Sequence, residues 1–532
     1  MADSGQLYFG GDIYTVDSSH PSAEAVAVHD GRIVAVGSAS GCRQALGKGY
    51  EPVDLRGRAL LPGFIDTHLH PVYMIYFDMN ADLRGVKTVA DLQDKLRDSA
   101  KKAAPGTWVV GLNFDEQEFA GKRLLTRHDI DAACPDRPAI VIKHDGHMVM
   151  ANTKTIEAVG VSASTPNPEG GVIDREHDGY PAGPFRENAS QIILSAMPMP
   201  HIPTFVSVAK TTFNRLLSYG ITSAGIVLQT GGEGVAGSAG AFDVLAMQML
   251  LEHVPFNTYG LLIAQDLEKI EAARKIGLHQ ERGRRWIGGV KIFADGTYGS
   301  CTAFMNEPFS DQPDKIGFLT TDAEEIYRRM AAAHQAGLQI AIHAIGDAGN
   351  RVCVNLYDRL LAEYPRADHR HRIEHASQLD AALISDMARL GIVISTQPMF
   401  IHSEKHWLHK RLGTQRTKWT YPFRAILDGS VKLAGASDSP VESAEVMHAI
   451  YCCVTREGFE PQQCITVEEA IRMFTIDAAY AQHEDDVKGS ISVGKRADMI
   501  ILSENPVSVT PEKIRNIRVE RTIIGGQVLY GN

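Results

Sequence analysis

Through the middle of this chain, short apolar strand-like runs alternate with amphipathic helix-like runs, and that alternation restricts the available folds more than any other feature. The strongest strand-like runs are IGGVKIFADG (287–296), GLQIAIHAIGD (337–347), HRIEHA (371–376), GIVISTQP (391–398) and VKLAGASDSP (431–440). Between them, DAEEIYRRMAAAHQAG and QLDAALISDMARLG place apolar residues at helical spacing. Strands separated by helices predict a parallel sheet with its helices outside, and eight such units make a (β/α)8 barrel of about 250 residues. The fold class is therefore α/β, with the barrel placed at residues 61–485. This stretch is longer than eight units need, so a segment is inserted.

The inserted lobe is placed after the first barrel strand, at residues 72–218. There the texture is mixed: helical VADLQDKLRDSAKKA, strand-like WVVGLNFDE and AIVIKHDG, and Gly/Pro-rich TPNPEGGVIDREHDGYPAGPF. It is expected to lie over the barrel mouth, where loops set substrate choice in this architecture. Residues 1–60 and 486–532 share another texture, short β-branched runs broken by Gly and Asp-Gly turns, as in AEAVAVHDGRIVAVG and VERTIIGGQVLYGN. Two half-sheets at opposite ends of a chain predict one small β-sandwich built from both termini.

Composition narrows the partners. A net charge of −11 and a pI near 6.0 disfavour polyanion binding, so nucleic acid is not expected. Mean hydropathy is −0.13, and no run reaches the roughly 18 apolar residues of a spanning helix. The first thirty residues lack a basic segment followed by an apolar one. The seven cysteines are odd in number, scattered and without a C-x-x-C pair. A cytoplasmic protein with a small-molecule substrate and no membrane association is the expectation, and the sandwich and long helices would suit a homodimer.

The sharpest chemical signal is His68-Leu69-His70 after the apolar run LLPGFIDT. Residues i and i+2 of a strand point the same way, so both imidazoles can reach one metal. His343, His375 and Asp438 likewise follow apolar strand cores, the position from which barrel strands deliver catalytic groups. Each alone would read as a core histidine or a helix-capping Asp. Four imidazoles and a carboxylate, all at strand ends, suit zinc or another borderline divalent ion. Lys291 stands inside an apolar strand, where an ammonium needs a partner, a shifted pKa or a modification. A salt bridge to Asp295 and a functional role are both open.

Together GFIDTHLH, VKIFADGTYGSCTA, IAIHAIGDAGN, HRIEHA, ASDSP and GSISVGKRADMIIL resemble the amidohydrolase superfamily, in the branch of N-substituted formamide deformylase-like proteins. The resemblance runs in order over nearly the whole chain. It implies that His68, His70, His343 and His375 are metal ligands and that Asp438 is the catalytic general base and acid. It also implies that Lys291 is a ligand whose amine, if carboxylated, bridges two metals; left as an amine, it goes with one. HDGHMVMAN and GPFRENA resemble pocket-lining segments of this branch, which makes His147 and Glu187 candidate substrate contacts. Asp295, Tyr298 and Gln397 follow strands and join that group, and each could equally be a loop hydrogen-bonding residue. Asp347, four residues beyond His343, either orients that ligand or caps the next helix.

The expected activity is hydrolysis of carbon–nitrogen bonds other than peptide bonds, in an amide, formamide or cyclic amide, with one or two divalent ions, zinc foremost. Esters, lactones and deamination use the same constellation, and a non-catalytic binding member of the fold is a further alternative. Gly232-Glu233-Gly234-Val235-Ala236-Gly237 fits G-x-G-x-x-G and raises a dinucleotide-binding oxidoreductase, though a Gly-rich barrel loop explains it equally well. No G-x-S-x-G motif supports a serine nucleophile.

Overall fold

The computed structural model describes residues 5–531 apart from 105, 117–118, 120, 144–147, 169–170, 188, 199–200, 232–241, 264–266 and 276–280. The described chain divides into two compact units, one formed by residues 1–71, 213–234 and 241–532, the other centred on Val72–Thr212.

The first unit holds eight parallel strands: β1 Phe64–Leu69, β2 Ile221–Gln229, β3 Asn257–Ile263, β4 Arg285–Phe293, β5 Gln339–Ala344, β6 Arg372–His375, β7 Val393–Thr396 and β8 Lys432–Gly435. Each pairs in parallel with the next in chain order. Hydrogen bonds close the seam between β1 and β8. Thr67 Oγ1 donates to Gly435 O at 2.9 Å, Asp438 N to His68 O at 2.8 Å, and His70 N to Ser439 O at 2.8 Å. Every residue of β2, β3 and β5 is buried, which explains their unbroken apolar runs: a strand covered on both faces has no solvent side to alternate with.

The helices outside follow their sequence signals. Ala381–Leu390 starts at Asp380, whose side chain accepts Leu383 N, and buries Leu383, Ile384, Met387 and Leu390. It ends at Gly391 with φ 68°, a left-handed conformation that glycine adopts without a Cβ clash. Asp347–Glu363 lies against β5 and β6, with the Tyr357 hydroxyl donating to Arg372 O at 2.9 Å. Among the described residues no helix is long and apolar enough to cross a membrane.

Both chain ends of this unit meet in a second sheet of eight strands. Ala59–Pro62 pairs antiparallel with Met499–Leu502, joining the N-terminal strands to the C-terminal ones. The edge strand Arg32–Gly37 reaches back to the approach of that C-terminal strand, with Ile33 N on Lys495 O at 2.9 Å and Gly494 N on Ile33 O at 2.8 Å. The sheet thus closes over one core of Tyr8, Ile13, Val28, Leu60, Met499, Ile501 and Ile523. Asp30-Gly31, with φ of 49° and 70°, turns the hairpin between Ser22–His29 and Arg32–Gly37, as Asp-Gly turns do.

The second unit is a six-stranded sheet in the order Gly171–Arg175, Pro181–Glu187, Met148–Ala151, Ala139–Lys143, Val109–Phe114, Ala81–Asp82. Its strands bury both faces by alternation: Val109, Val141 and Met150 pack on one side with Leu92 and Leu96 of the helix Val89–Lys102. Val110, Ile140 and Val149 pack on the other with Phe185 and Ile193. Thr88 and Asp91 form a capping box at the start of the helix.

Candidate metal centre

β1 delivers His68 and His70 at its end, with Leu69 between them buried on the opposite side. Asp66, two residues earlier, accepts His68 N at 3.0 Å and Ser437 N at 3.1 Å through the same oxygen. One buried carboxylate therefore fixes the ends of both seam strands. Asp438 follows β8 in a left-handed conformation, φ 60°, a strain of about 1–3 kcal/mol that the seam hydrogen bonds hold in place. Its Oδ1 lies 3.1 Å from His70 Nε2 and 3.4 Å from His68 Nε2. Ligands held about 2.1 Å from one ion stand about 3.4 Å apart in a tetrahedron, so these spacings suit a shared cation. Among the described residues, His68, His70 and Asp438 are the strand-end donors whose ligand atoms all lie within 4.8 Å of one another.

The other two imidazoles continue this row. The His375 ring centroid is 5.5 Å from that of His68, and the His343 ring 4.4 Å from that of His375. His375 also has positive φ, 71°. Its Nδ1 lies 2.8 Å from Gln397 Oε1, so the proton is on Nδ1 and the lone pair on Nε2. His343 presents Nε2 to Gly296 O at 3.2 Å and stands 3.5 Å from Asp295 Oδ1.

His68 is set by a buried chain of charge. Its Nδ1 is 2.5 Å from Glu374 Oε2, Glu374 Oε1 is 2.5 Å from Arg372 Nε, and Arg372 Nη2 donates to Thr67 O at 2.8 Å. A protonated Nδ1 leaves Nε2 free to ligate. Arg372 and Glu374 are fully buried. Sequence reading passed over both, although two charges at i and i+2 of an apolar strand are a signal: burial is tolerable only if they meet each other or a third group.

Burial disfavours the charged form of three of the imidazoles. Burial, reinforced by the Lys291 charge, lowers the His68 pKa to about 4. Burial lowers His375 to about 3, and it holds His343 well below 6.5 with help from His375. Burial opposes ionisation of Asp438, but His68, His70 and His375 outweigh it and keep the carboxyl well below its usual range. Glu374 behaves the same way under Arg372 and His68. Neutral imidazoles at His68, His343 and His375 beside an anionic carboxylate are the protonation states that metal binding needs.

Lys291 lies inside the barrel, 2% exposed, with Nζ 5.0 Å above the Phe293 ring. Burial lowers its pKa to about 8, against the opposing charges of Glu374 and Asp438. Among the described residues no ion pair joins it to Asp295. That carboxylate instead accepts Phe304 N at 2.9 Å, Ile345 N at 3.0 Å and Gly346 N at 2.9 Å, knitting together the loops after β4 and β5. The Tyr298 hydroxyl is buried and donates to Gln378 Oε1 at 3.3 Å. Gln397 holds His375. Asp347 accepts Asn306 N at 2.8 Å and Ala348 N at 2.9 Å in the first turn of its helix. Glu187 ends the strand Pro181–Glu187, and its side chain lies outside the described residues, as do His147 and the Gly232–Gly237 motif.

Residues 51–530 match the Amidohydrolase family. The chain is 31% identical to Protein LONG AFTER FAR-RED 3 of Arabidopsis thaliana, over 98% of this chain and 91% of that protein. It is 28% identical to N-substituted formamide deformylase of Arthrobacter pascens, over 98% of each chain. The crystal structure of an uncharacterized metal-dependent hydrolase from Pyrococcus furiosus superposes with a TM-score of 0.77 at 28% identity, covering 95% of this chain and all of that one. The chain belongs to the amidohydrolase family.

Proposed function

We propose that this protein is a metal-dependent hydrolase of carbon–nitrogen bonds other than peptide bonds, acting on an amide, formamide or cyclic amide. The observation that carries the reading is the convergence of His68 Nε2 and His70 Nε2 on Asp438 Oδ1, with Nδ1 of His68 already committed to Glu374. Two relatives support it by what they are: a metal-dependent hydrolase and an N-substituted formamide deformylase.

The donor set fits a divalent ion such as zinc. His68, His70, His343 and His375 would hold it, with Lys291 as a further ligand; bound there, it supplies Lewis acidity that activates water and polarises a carbonyl. Glu374 and Gln397 fix the tautomers of His68 and His375, so no ring must reorient when the site fills. Asp438 Oδ1 takes the proton that the attacking water gives up and returns it to the departing nitrogen. An anionic Asp438 at neutral pH is what that role needs, and the hydrogen bond with His70 Nε2 favours that form. Lys291, with its pKa near 8, has a free-amine fraction at neutral pH. Attack of that amine on carbon dioxide forms an N–C bond, releases one proton and leaves an anionic carbamate. A carbamate goes with two ions, an unmodified amine with one.

Metal analysis of native protein beside His68→Ala, with a panel of N-acyl amines and matched esters, tests the proposal. The expected result is one or two equivalents of metal in native protein, loss of metal in His68→Ala, and faster turnover of the N-acyl compounds. Native protein that binds no divalent ion even after reconstitution with bicarbonate overturns the reading.

A further inference from the structure

A second pair of imidazoles meets a carboxylate outside the barrel centre. His402 lies in the helix Met399–Arg416 after β7, His448 in the helix Val446–Thr455 beyond β8, and Glu457 in the turn that ends the latter. His402 Nδ1 is 3.0 Å from Glu457 Oε1 and 2.9 Å from Oε2, and His448 Nε2 is 3.3 Å from Oε1. The two rings are 4.7 Å apart at 66°, and one ligand atom from each of the three residues lies within 4.8 Å of the others.

The carboxylate is held in place by the backbone beneath it. Arg456 and Glu457 both have left-handed φ, 49° and 47°, which costs consecutive non-glycine residues about 1–2 kcal/mol each. The Arg456 side chain is fully buried and locks this turn, donating to Phe459 O at 2.8 Å, Tyr421 O at 2.8 Å and Thr420 O at 3.1 Å. Glu457 N donates to Thr455 Oγ1 at 3.1 Å. Strain of this kind persists where surrounding contacts over-determine it, and it fits a residue that must point one way. Glu457 is 8% exposed at its side chain, whereas His402 is 48% exposed, so the group is fixed at its base and open to solvent at its rim.

We infer that His402, His448 and Glu457 form a second cation site, taking zinc or a similar borderline divalent ion with two nitrogen ligands, one carboxylate oxygen and water in the open position. The separations of His402 Nδ1 and His448 Nε2 from Glu457 Oε1, 3.0 and 3.3 Å, are near those of ligands about 2.0–2.2 Å from one cation, and the donor types are those of zinc sites. Lys405 Nζ also contacts Glu457 Oε2. Its charge opposes a cation, and it leaves Oε1, the oxygen shared by both imidazoles, as the ligand. An ion there would tie the helix after β7 to the helix after β8.

Equilibrium dialysis against zinc separates this site from the barrel centre. Four proteins are compared: wild type, His402→Ala/His448→Ala, Glu457→Gln and His68→Ala. The expected result is one zinc equivalent fewer in the first two variants than in wild type, with that equivalent retained in His68→Ala. Thermal midpoints in chelator should be the same for wild type and His402→Ala/His448→Ala, and zinc should raise the wild-type midpoint further. Equal zinc stoichiometry in wild type, His402→Ala/His448→Ala and Glu457→Gln overturns the inference, whether or not the barrel centre binds metal.

Discussion

The two ends of β6 carry histidines in one short segment, His369-Arg370-His371-Arg372-Ile373-Glu374-His375, yet they are put to opposite uses. At the N-terminal end both ring nitrogens are spent. His371 Nδ1 accepts Ile340 N at 3.0 Å and its Nε2 is 2.7 Å from His334 Nδ1. His334 Nε2 in turn donates to Tyr364 O at 2.9 Å, while His369 uses Nδ1 for His371 N and Nε2 for Leu390 O, each at 2.9 Å. At the C-terminal ends of the strands, His375 of β6 and His68 of β1 commit Nδ1 to Gln397 and Glu374, and His68 Nε2 faces Asp438 Oδ1 at 3.4 Å. A buried histidine with both nitrogens bonded is a structural strut; one with a committed Nδ1 and an open Nε2 is a ligand in waiting. Burial and depressed pKa do not separate the two classes, since burial lowers His371 just as it lowers His68 and His375.

The contrast can be broken most sharply at the C-terminal end. Asp438→Asn should lower kcat by about 10²–10⁴-fold, the usual contribution of a positioned general acid–base group, in a steady-state assay on the best N-acyl substrate. Glu374→Gln acts one step back, through the His68 tautomer. Metal affinity should fall about 10–100-fold by competition with a chromophoric chelator, and added metal should restore turnover. His371→Ala should leave metal content unchanged and cost about 2–3 kcal/mol in urea unfolding, because it opens a cavity and strips Ile340 N and His334 of partners. If that variant loses metal instead, the division between the two ends fails.

A further effect is in pH. His68 and His375 have folded pKa values of about 4 and 3 in the metal-free protein, below the 6.5 of an exposed imidazole. As pH falls below 6.5 the unfolded chain takes up protons first, so stability is lost. Each group contributes a slope of about 1.4 kcal/mol per pH unit, ending near its folded pKa. Chelator-treated protein should therefore unfold progressively below pH 6.5, and His375→Asn should show a shallower acid limb.

Much of the fold was legible because it is written in local periodicity. The strands of the barrel appear as apolar runs since both faces are covered, and the helices Ala323–Gln335 and Ala381–Leu390 appear as amphipathic repeats with Asp caps since one face is wet. His68 and His70 were legible for the same reason, a period of two at a strand end. The role of Lys291 was not, because nothing in IGGVKIFADG tells whether Asp295 turns toward the amine or toward three backbone amides. The structure shows the amides. Gln397 shows the same limit: a polar residue after an apolar strand reads as a pocket contact until its oxygen is found on His375.

From the sequence by itself came the alternation that makes a barrel, the expectation of one small β unit built from both ends, and a set of histidines at strand termini. Tertiary structure decided which ring nitrogen of His68 and of His375 is committed. Glu374 meets His68 across 306 residues of chain and Gln397 meets His375 from the neighbouring strand. A tautomer is set by whichever group lies through space against the second nitrogen, and side-chain period along a strand carries no information about that partner.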